Sequence, residues 1–119
     1  MERNIKIAPS MLSADFSRMG GELKNVIDAG ADIIHLDVMD GVFVPNITFG
    51  IKMVADLKKL SGITPLDCHL MIVSPEKYVK KFAEAGADYI TVHYEACKEN
   101  LGEVLKLIKS CGVKCGLVI

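Results

Sequence analysis

The sequence predicts an α/β fold of parallel strands joined by helices, and two features of the chain support this prediction. Apolar runs of strand length alternate with segments in which apolar residues recur at helical spacing. Parallel neighbours require crossover connections, which are right-handed and usually helical. In addition, "AGADIIHLD" at 29–37 returns as "AGADYITVH" at 85–93, so two units share one helix stop and one turn. Such an echo is expected of a βα unit repeated around a barrel, although a doubly wound sheet also produces it.

The first half of the chain reads as two βα units. The apolar run "IKIAPS" at 5–10 is the first predicted strand and ends at a Pro-Ser pair. Helical spacing of apolar residues then predicts a helix over 14–30, with a glycine as its stop. A second strand is predicted at 32–38, followed by a loop rich in Gly, Pro and Asn at 40–50 and a helix at 51–62.

The second half continues the same alternation. The third strand is predicted at 66–72. Ser74 and Pro75 are expected to be the N-cap and the first residue of the next helix, which extends over 76–86. The remaining elements are a fourth strand at 88–95, a fourth helix at 100–112 and a fifth strand at 114–119.

Composition indicates a globular protein and argues against several classes of partner. Half of the 119 residues are hydrophobic, and 14 basic side chains nearly balance 15 acidic ones. This balance, without a basic run, argues against nucleic acid or an acidic membrane surface and favours a small molecule or a protein partner. No apolar stretch is long enough to cross a bilayer, and the charged start of the chain does not resemble a secretory signal. With no linker in 1–119, a single domain is predicted.

The four cysteines indicate a reducing compartment. Cys68, Cys97, Cys111 and Cys115 contain no Cys-x-x-Cys pair, and Cys68 and Cys115 lie in apolar, strand-like runs. They are therefore interpreted as reduced thiols in a cytoplasmic protein. Cys111 and Cys115 on their own are a weak signal for zinc.

Polar side chains that suit metal binding collect near the ends of successive predicted strands. Ser10 follows the first strand, His35 and Asp37 lie late in the second, His69 in the third and His93 in the fourth. His35 and Asp37 alternate in an extended strand, so their side chains project from the same face. In α/β proteins the C-terminal ends of the strands form the rim that carries the site. Converging imidazoles and a carboxylate predict a divalent transition-metal site with His35, Asp37 and His69 as ligands.

Several of these residues have a simpler structural explanation when taken alone. A single histidine near a strand end, such as His93, is more often a satisfied core or rim residue than a ligand. Ser10 follows a proline and is also placed to cap the next helix. Met39 and Met71 follow the second and third strands and are as readily apolar filling. The His-x-Asp pair, with His69 at the same height of the next strand, is harder to explain by packing alone.

Several motifs, in order along the chain, resemble the ribulose-phosphate 3-epimerase family. They are "IAPSMLSADF", "HLDVMDGVFVPNITFG", "DCHLMI" followed by "SPEKYV", "AGADYITVHYEA" and "GVKCGLVI", which together run along essentially the whole chain. The resemblance implies an eight-stranded (β/α)8 TIM barrel, of which these residues would supply the first four βα units and strand five. Residues 1–119 are therefore expected to be the N-terminal part of a single barrel domain, a half-barrel.

The resemblance also implies a role for each matching residue. The metal, commonly zinc, iron, manganese or cobalt, would be held by His35, Asp37 and His69, with a further aspartate from the second half of the barrel. Asp37 would also be the catalytic proton acceptor, while Ser10 and His69 would contact the substrate. The methionines after the second and third strands match those that line the reacting face of the substrate. Glycine-rich turns late in the barrel would hold its phosphate.

The implied reaction is epimerisation at C3 of a ketose phosphate, which interconverts D-ribulose 5-phosphate and D-xylulose 5-phosphate in the pentose phosphate pathway. A base removes the proton next to the ketone, a metal stabilises the enediolate, and an acid returns a proton to the other face. Because the second acid/base group and the phosphate site would lie outside these residues, the 119-residue piece alone is expected to be inactive. A half-barrel would also expose strand edges, so a homo-oligomer is expected.

Three other interpretations stay open. A 3-epimerase that acts on a six-carbon ketose phosphate, such as allulose 6-phosphate, would share these motifs. A non-catalytic half-barrel with a vestigial metal site would differ in metal content and oligomeric state. A phosphate-binding barrel protein without metal would keep its ligand when His35 and His69 are replaced.

Overall fold

The computed structural model describes residues 4–119, which form a four-stranded parallel sheet with its strands in chain order. Each strand pairs with the next one along the chain, and the order never reverses. A doubly wound sheet would reverse direction at a switch point, so the order is that of a barrel wall. The predicted α/β fold of TIM-barrel type, present here as a half-barrel, is confirmed. The strands are β1 (Ile34–Met39), β2 (Leu66–Met71), β3 (Tyr89–His93) and β4 (Lys114–Val118).

Four α-helices connect or precede the strands, together with short 3-10 turns. The helices are α1 (Met19–Asp28), α2 (Ile51–Ser61), α3 (Val79–Ala85) and α4 (Leu101–Ser110). Within residues 4–119 none of these helices is long and apolar enough to cross a membrane. The 3-10 turns are Met11–Ser13, Phe16–Arg18, Pro75–Lys77 and Tyr94–Ala96.

The hydrophobic core lies between the sheet and the helices. Alternate residues of β1 and β2 are buried, while the residues between them are mostly half-buried. Because side chains alternate along a strand, one face of the sheet is apolar and packs on the helices, and the other carries the polar residues. The buried strand residues on the apolar face are Ile34, Leu36, Val38, Leu66, Cys68, Leu70, Ile90 and Val92, and Met71 at the end of β2 is also buried.

The N-terminal segment, residues 5–10, lies beside β1 without forming a regular strand, so the prediction of a first strand is wrong in detail. The carbonyls of Ile7 and Pro9 accept hydrogen bonds from the chain that leads into β1. Ser10 and His35 form only an isolated parallel bridge. Pro9 has no N–H to donate, which interrupts the ladder. The segment nevertheless occupies the place that the first strand would have in the wall.

Two predicted helix starts are also wrong. The predicted helix at 14–30 becomes regular only at Met19, because Asp15 accepts a hydrogen bond from Ser17 N–H and begins a separate 3-10 turn. Ser74 has a left-handed backbone (φ 49°) and its side chain makes no capping hydrogen bond. Pro75 therefore opens a 3-10 turn, and α3 starts only at Val79.

All four predicted strands of the sheet are longer than those observed, and the one predicted at 66–72 ends at Met71. The strand predicted at 32–38 starts at Ile34, because the preceding residues form the turn that follows α1. The strand predicted at 88–95 ends at His93, where the chain enters a 3-10 turn. The last strand ends at Val118.

The repeated Ala-Gly-Ala-Asp segment has one structure in both of its copies. Its glycine has a positive φ, 105° in the first copy and 118° in the second, which favours glycine. The aspartate carboxylate then accepts a backbone N–H from the neighbouring segment, Asp32 from Ile7 at 2.7 Å and Asp88 from Leu66 at 2.9 Å. In each copy the aspartate N–H also donates to the carbonyl of that same residue. The prediction that both copies of the segment use the same turn is confirmed.

Candidate functional site

The candidate site lies on the face of the sheet opposite the helices. Alternation places His35 and Asp37 of β1 on this face, together with Asp67 and His69 of β2. The parallel register sets His35 beside Asp67 and Asp37 beside His69. A His-x-Asp pattern on one strand therefore lies beside an Asp-x-His pattern on the next. The four side chains form two cross-strand pairs, His35 with Asp67 and Asp37 with His69.

The structure brings the three predicted ligands together. His35 Nε2 and His69 Nδ1 both lie 2.9 Å from Asp37 Oδ1. One ligand atom from each of the three residues lies within 4.8 Å of the others. Their side chains are 15% to 25% exposed, so the group is shielded but open to a small ion. His35, Asp37 and His69 can therefore point their ligand atoms at one shared position.

Two hydroxyl groups hold Asp37 and its strand in place. Ser10 Oγ donates to Asp37 Oδ2 at 2.8 Å and also accepts from Leu12 N–H at 3.2 Å. The capping explanation for Ser10 is thus correct, and the same hydroxyl reaches the candidate site. Thr48 Oγ1 donates to the Asp37 carbonyl at 2.7 Å and accepts from Met39 N–H at 3.1 Å. These contacts tie the N-terminal segment and the loop after β1 to Asp37.

Asp67 belongs to the site although the sequence analysis did not single it out. Its Oδ2 lies 2.8 Å from His35 Nδ1. Its Oδ1 is buried and has no hydrogen-bond partner among the residues that the structure describes. The signal for Asp67 was its position two residues before His69, which places it on the same face. Its partner on the neighbouring strand depends on register, which the sequence does not specify.

His93 contacts the predicted ligand His69 on the side of the ring that faces away from Asp37. Its Nε2 lies 2.6 Å from His69 Nε2, and the two rings stack with centroids 4.8 Å apart. The ring of Phe43 covers His93 at a centroid distance of 5.1 Å. The contacted nitrogen is the one that faces away from Asp37, so His93 supports His69 instead of joining the three-residue group.

The electrostatics of the site favour an ionised carboxylate. Burial acts to raise the pKa of Asp37, but hydrogen bonds from Ser10 and His69 and the positive field of His35 outweigh it, and the net pKa is lowered. The hydrogen bond to Asp67 raises the pKa of His35 against the effect of burial. Burial lowers the pKa of His93, and the neighbouring His69 lowers it further. Asp37 is therefore charged at neutral pH and available as a ligand or a base.

The donor set fits a divalent transition metal. Two imidazole nitrogens and one carboxylate oxygen are ligands that suit zinc, iron, manganese or cobalt. Three protein ligands leave coordination positions for substrate or for a further ligand. Met39 and Met71 are register partners at the C-terminal ends of β1 and β2, next to this group.

Comparison with known proteins identifies a family to which the chain is similar. Residues 6–119 match the model of the ribulose-phosphate 3 epimerase family. The chain is 53% identical over 115 residues to ribulose-phosphate 3-epimerase from Bacillus subtilis, covering 97% of this chain and 52% of that protein. It is 56% identical over 120 residues to the Synechocystis protein of that name, covering 100% of this chain and 52% of the relative.

The fold has a counterpart among solved structures. The tryptophan synthase alpha chain of Legionella pneumophila superposes with a TM-score of 0.69 at 16% identity, covering 92% of this chain and 50% of that one. At this identity the likeness concerns the fold alone. The chain spans about half the length of the curated relatives it matches. On the match of residues 6–119, the chain belongs to the ribulose-phosphate 3-epimerase family.

Proposed function

We propose that the site serves the metal-dependent epimerisation at C3 of a ketose phosphate, interconverting D-ribulose 5-phosphate and D-xylulose 5-phosphate. The observation that carries the proposal is the convergence of His35, Asp37 and His69 on the face opposite the helices. Membership of the family supports a ribulose phosphate as the substrate. The nearly neutral charge of the chain suits a small-molecule substrate rather than nucleic acid.

Each residue of the site has a distinct task in this proposal. His35, Asp37 and His69 would hold one divalent ion, and their donor atoms suit zinc, iron, manganese or cobalt. When bound, the ion supplies Lewis acidity that polarises the ketone and stabilises the negative charge of the enediolate. Asp37 accepts the proton from C3, and its lowered pKa keeps it in the basic form. Ser10 fixes the second oxygen of Asp37 and, with His69, contacts the substrate.

We further propose that residues 1–119 form the N-terminal part of a single (β/α)8 barrel domain, acting in the cytoplasm as a homo-oligomer. Epimerisation requires an acid on the face of the substrate opposite the base. Among the residues that the structure describes, the other carboxylate of the site, Asp67, faces His35 instead. We therefore expect the isolated 119-residue polypeptide to bind metal without turning over ribulose 5-phosphate.

Metal content is the direct test of this proposal. The purified chain, loaded with Zn²⁺ or Mn²⁺ and freed of excess ion, should retain about one ion per chain. His35→Ala and His69→Ala should lose it, since each removes one of three ligands. Asp56→Asn, which changes an exposed carboxylate on α2, is the matched control and should retain the ion. A wild-type chain that retains no ion, or a His35→Ala variant that retains it fully, would contradict the proposal.

The role of Asp37 as the base has its own readout. In deuterium oxide, a base that removes the C3 proton exchanges it for solvent deuterium even where no acid completes the inversion. Deuterium at C3 of ribulose 5-phosphate, formed by the loaded wild-type chain and absent with an Asp37→Asn chain that still retains its metal, would identify Asp37 as the proton acceptor. Exchange that survives in Asp37→Asn would assign the base elsewhere.

A further inference from the structure

His35 lies between two carboxylates, one on each ring nitrogen. Nδ1 is 2.8 Å from Asp67 Oδ2, and Nε2 is 2.9 Å from Asp37 Oδ1. A neutral imidazole carries a single N–H, so only one of the two carboxylates receives a hydrogen from it. The carboxylate that receives it determines which nitrogen keeps a free lone pair.

The two carboxylates differ in what else they accept. Asp37 already accepts from Ser10 Oγ and faces His69 Nδ1 as well as His35. Among the described residues, Asp67 has His35 as its hydrogen-bonding partner, and its other oxygen is buried without one. Asp67 therefore has the greater need of a donor, which favours a hydrogen on Nδ1 of His35.

The unpaired oxygen of Asp67 argues against a purely structural role. A buried polar atom without a partner destabilises the folded state, and a neutral or apolar side chain at this position would avoid that cost. Among the described residues, no lysine or arginine pairs with Asp67; its hydrogen-bonding neighbour is the imidazole of His35. The feature that only a carboxylate supplies here is a strong acceptor for His35 Nδ1–H.

We propose that Asp67 is a positioning residue that holds His35 as the Nδ1–H tautomer, with Nε2 aimed at the position shared with Asp37 and His69. The proposal deepens the proposed function, since the ion is the group toward which Nε2 would point. In metal sites of this kind, a carboxylate behind a histidine fixes the orientation of the ring and strengthens the ligand. The tautomer itself belongs to the metal-free chain and is measurable without any ion.

The first test measures the tautomer directly. Imidazole nitrogen resonances of the chelator-treated, ¹⁵N-labelled chain are recorded at alkaline pH, where the histidines are neutral. The expected result is a hydrogen on Nδ1 of His35 in the wild-type chain, and a mixture of tautomers in Asp67→Ala. Asp56→Asn, an exposed carboxylate change on α2, should leave the His35 signals unchanged. Asp67→Asn keeps the size and one acceptor oxygen, but a neutral amide is a weaker acceptor than a carboxylate. If Asp67→Ala does not fold, a partial shift of the hydrogen from Nδ1 to Nε2 in Asp67→Asn decides the outcome.

The second test measures the dissociation constant for Zn²⁺ alone. Loss of such a carboxylate typically weakens metal binding by about 10- to 100-fold, and we expect this range for Asp67→Ala with a smaller loss for Asp67→Asn. Asp56→Asn should bind Zn²⁺ as the wild-type chain does. An intermediate affinity of Asp67→Asn matches an acceptor that orients His35, because the amide oxygen still accepts Nδ1–H.

The outcomes separate this inference from the proposed function. A wild-type His35 with its hydrogen on Nε2, or a tautomer that is the same in the wild-type chain and both Asp67 variants, would overturn the positioning role. Unchanged Zn²⁺ affinity in both Asp67 variants, with a wild-type chain that binds Zn²⁺, would also overturn it. If the wild-type chain binds no Zn²⁺ while the tautomer depends on Asp67, the positioning role stands and the proposed function fails.

Discussion

At the scale of single residues, Asp40 shows how one carboxylate organises the loops beside the site. Its Oδ1 accepts from the N–H groups of Val42 and Phe43, at 2.9 Å and 2.8 Å, and its Oδ2 accepts from Val73 N–H at 2.8 Å. Burial acts to raise the pKa of Asp40, but these backbone hydrogen bonds outweigh it and lower the pKa. Asp40 therefore links the loop after β1 to the loop after β2.

The lowered pKa of Asp40 predicts a pH dependence of stability. A group with a lower pKa in the folded state stabilises that state above its unfolded pKa, which is about 3.9 for aspartate, and this contribution is lost as the pH falls through the folded pKa. Asp40→Asn should therefore lower the free energy of unfolding at neutral pH, and its difference from wild type should shrink below about pH 4. Urea denaturation of both chains at a series of pH values measures the difference in unfolding free energy between wild type and Asp40→Asn. A difference that does not vary with pH would contradict the prediction.

The residues of the candidate site were predictable to different degrees. His35 and Asp37 could be grouped from sequence because alternation along one strand fixes the face of both. The contacts of Asp67 and His93 could not be predicted, because they run between strands and depend on register. Alternation gives the face on which a side chain lies, and only the pairing of strands gives its neighbour.

At the scale of elements, the two copies of the Ala-Gly-Ala-Asp turn form a matched pair with one difference. Gly30 and Gly86 both have positive φ, at 105° and 118°. An added Cβ at Gly30 would meet no atom within 4 Å, whereas at Gly86 it would collide with the side chain of Lys58, including Lys58 Cβ at 2.9 Å. Lys58 is itself held by Asp88 at 2.8 Å, so its side chain is not free to move aside.

Alanine at the two glycines should therefore have unequal effects. Gly30→Ala should cost about 1–2 kcal/mol of unfolding free energy, because a Cβ is strained at positive φ. Gly86→Ala should cost about 1–3 kcal/mol more, because overpacking against Lys58 is added to the strain. Urea denaturation of the two variants and the wild-type chain compares them directly. Equal losses of unfolding free energy in the two variants would contradict this prediction, because they would show that the Lys58 side chain moves aside without an energetic cost.

Element boundaries were harder to predict than the elements themselves. The alternation of apolar runs and helical spacing located all four helices and the four strands of the sheet. The N-cap prediction at Ser74 was wrong because its backbone is left-handed, a conformation that the Ser-Pro pattern does not specify. The first strand was predicted from its apolar run, whereas the hydrogen-bonding pattern is limited by Pro9.

At the scale of the whole molecule, the sheet has two edges. Within residues 4–119, β4 pairs with β3 on one side only, and the N-terminal segment lies at the other edge beside β1. Large apolar side chains are exposed near both edges, with Ile5 74% and Ile119 94% exposed. Unpaired edges with apolar side chains favour association with another chain.

We expect the 119-residue chain to self-associate as its concentration rises. Leu117, on β4, is 40% exposed, and Leu117→Lys should weaken the association because a charge on an edge strand opposes pairing. Ile63→Lys is the matched control, since Ile63 is fully exposed in the turn between α2 and β2. Sedimentation velocity over a range of concentrations measures the effect. A wild-type chain that stays monomeric throughout, or equal effects of the two lysines, would contradict this expectation.

Local periodicity left the order of the strands open, and the resemblance to a known family implied that of a barrel. The repeated segment is expected of a barrel, although a doubly wound sheet also produces it, because both use the same helix-to-strand turn. Strand order is a matter of long-range pairing, and the register from β1 through β4 resolves it. The α/β class was predictable from local periodicity and the barrel from the resemblance, whereas the register between strands required the tertiary structure.

The Ala-Gly-Ala-Asp turn has a consequence for how the chain folds during synthesis. In each copy, the aspartate before a new strand bonds both backbone groups of a residue in the segment made earlier, Ile7 for Asp32 and Leu66 for Asp88. The partner precedes the turn in both copies, so β1 and β3 can each be aligned on chain that has already left the ribosome. These two steps of the wall can therefore form in the direction of translation, without waiting for the C-terminus.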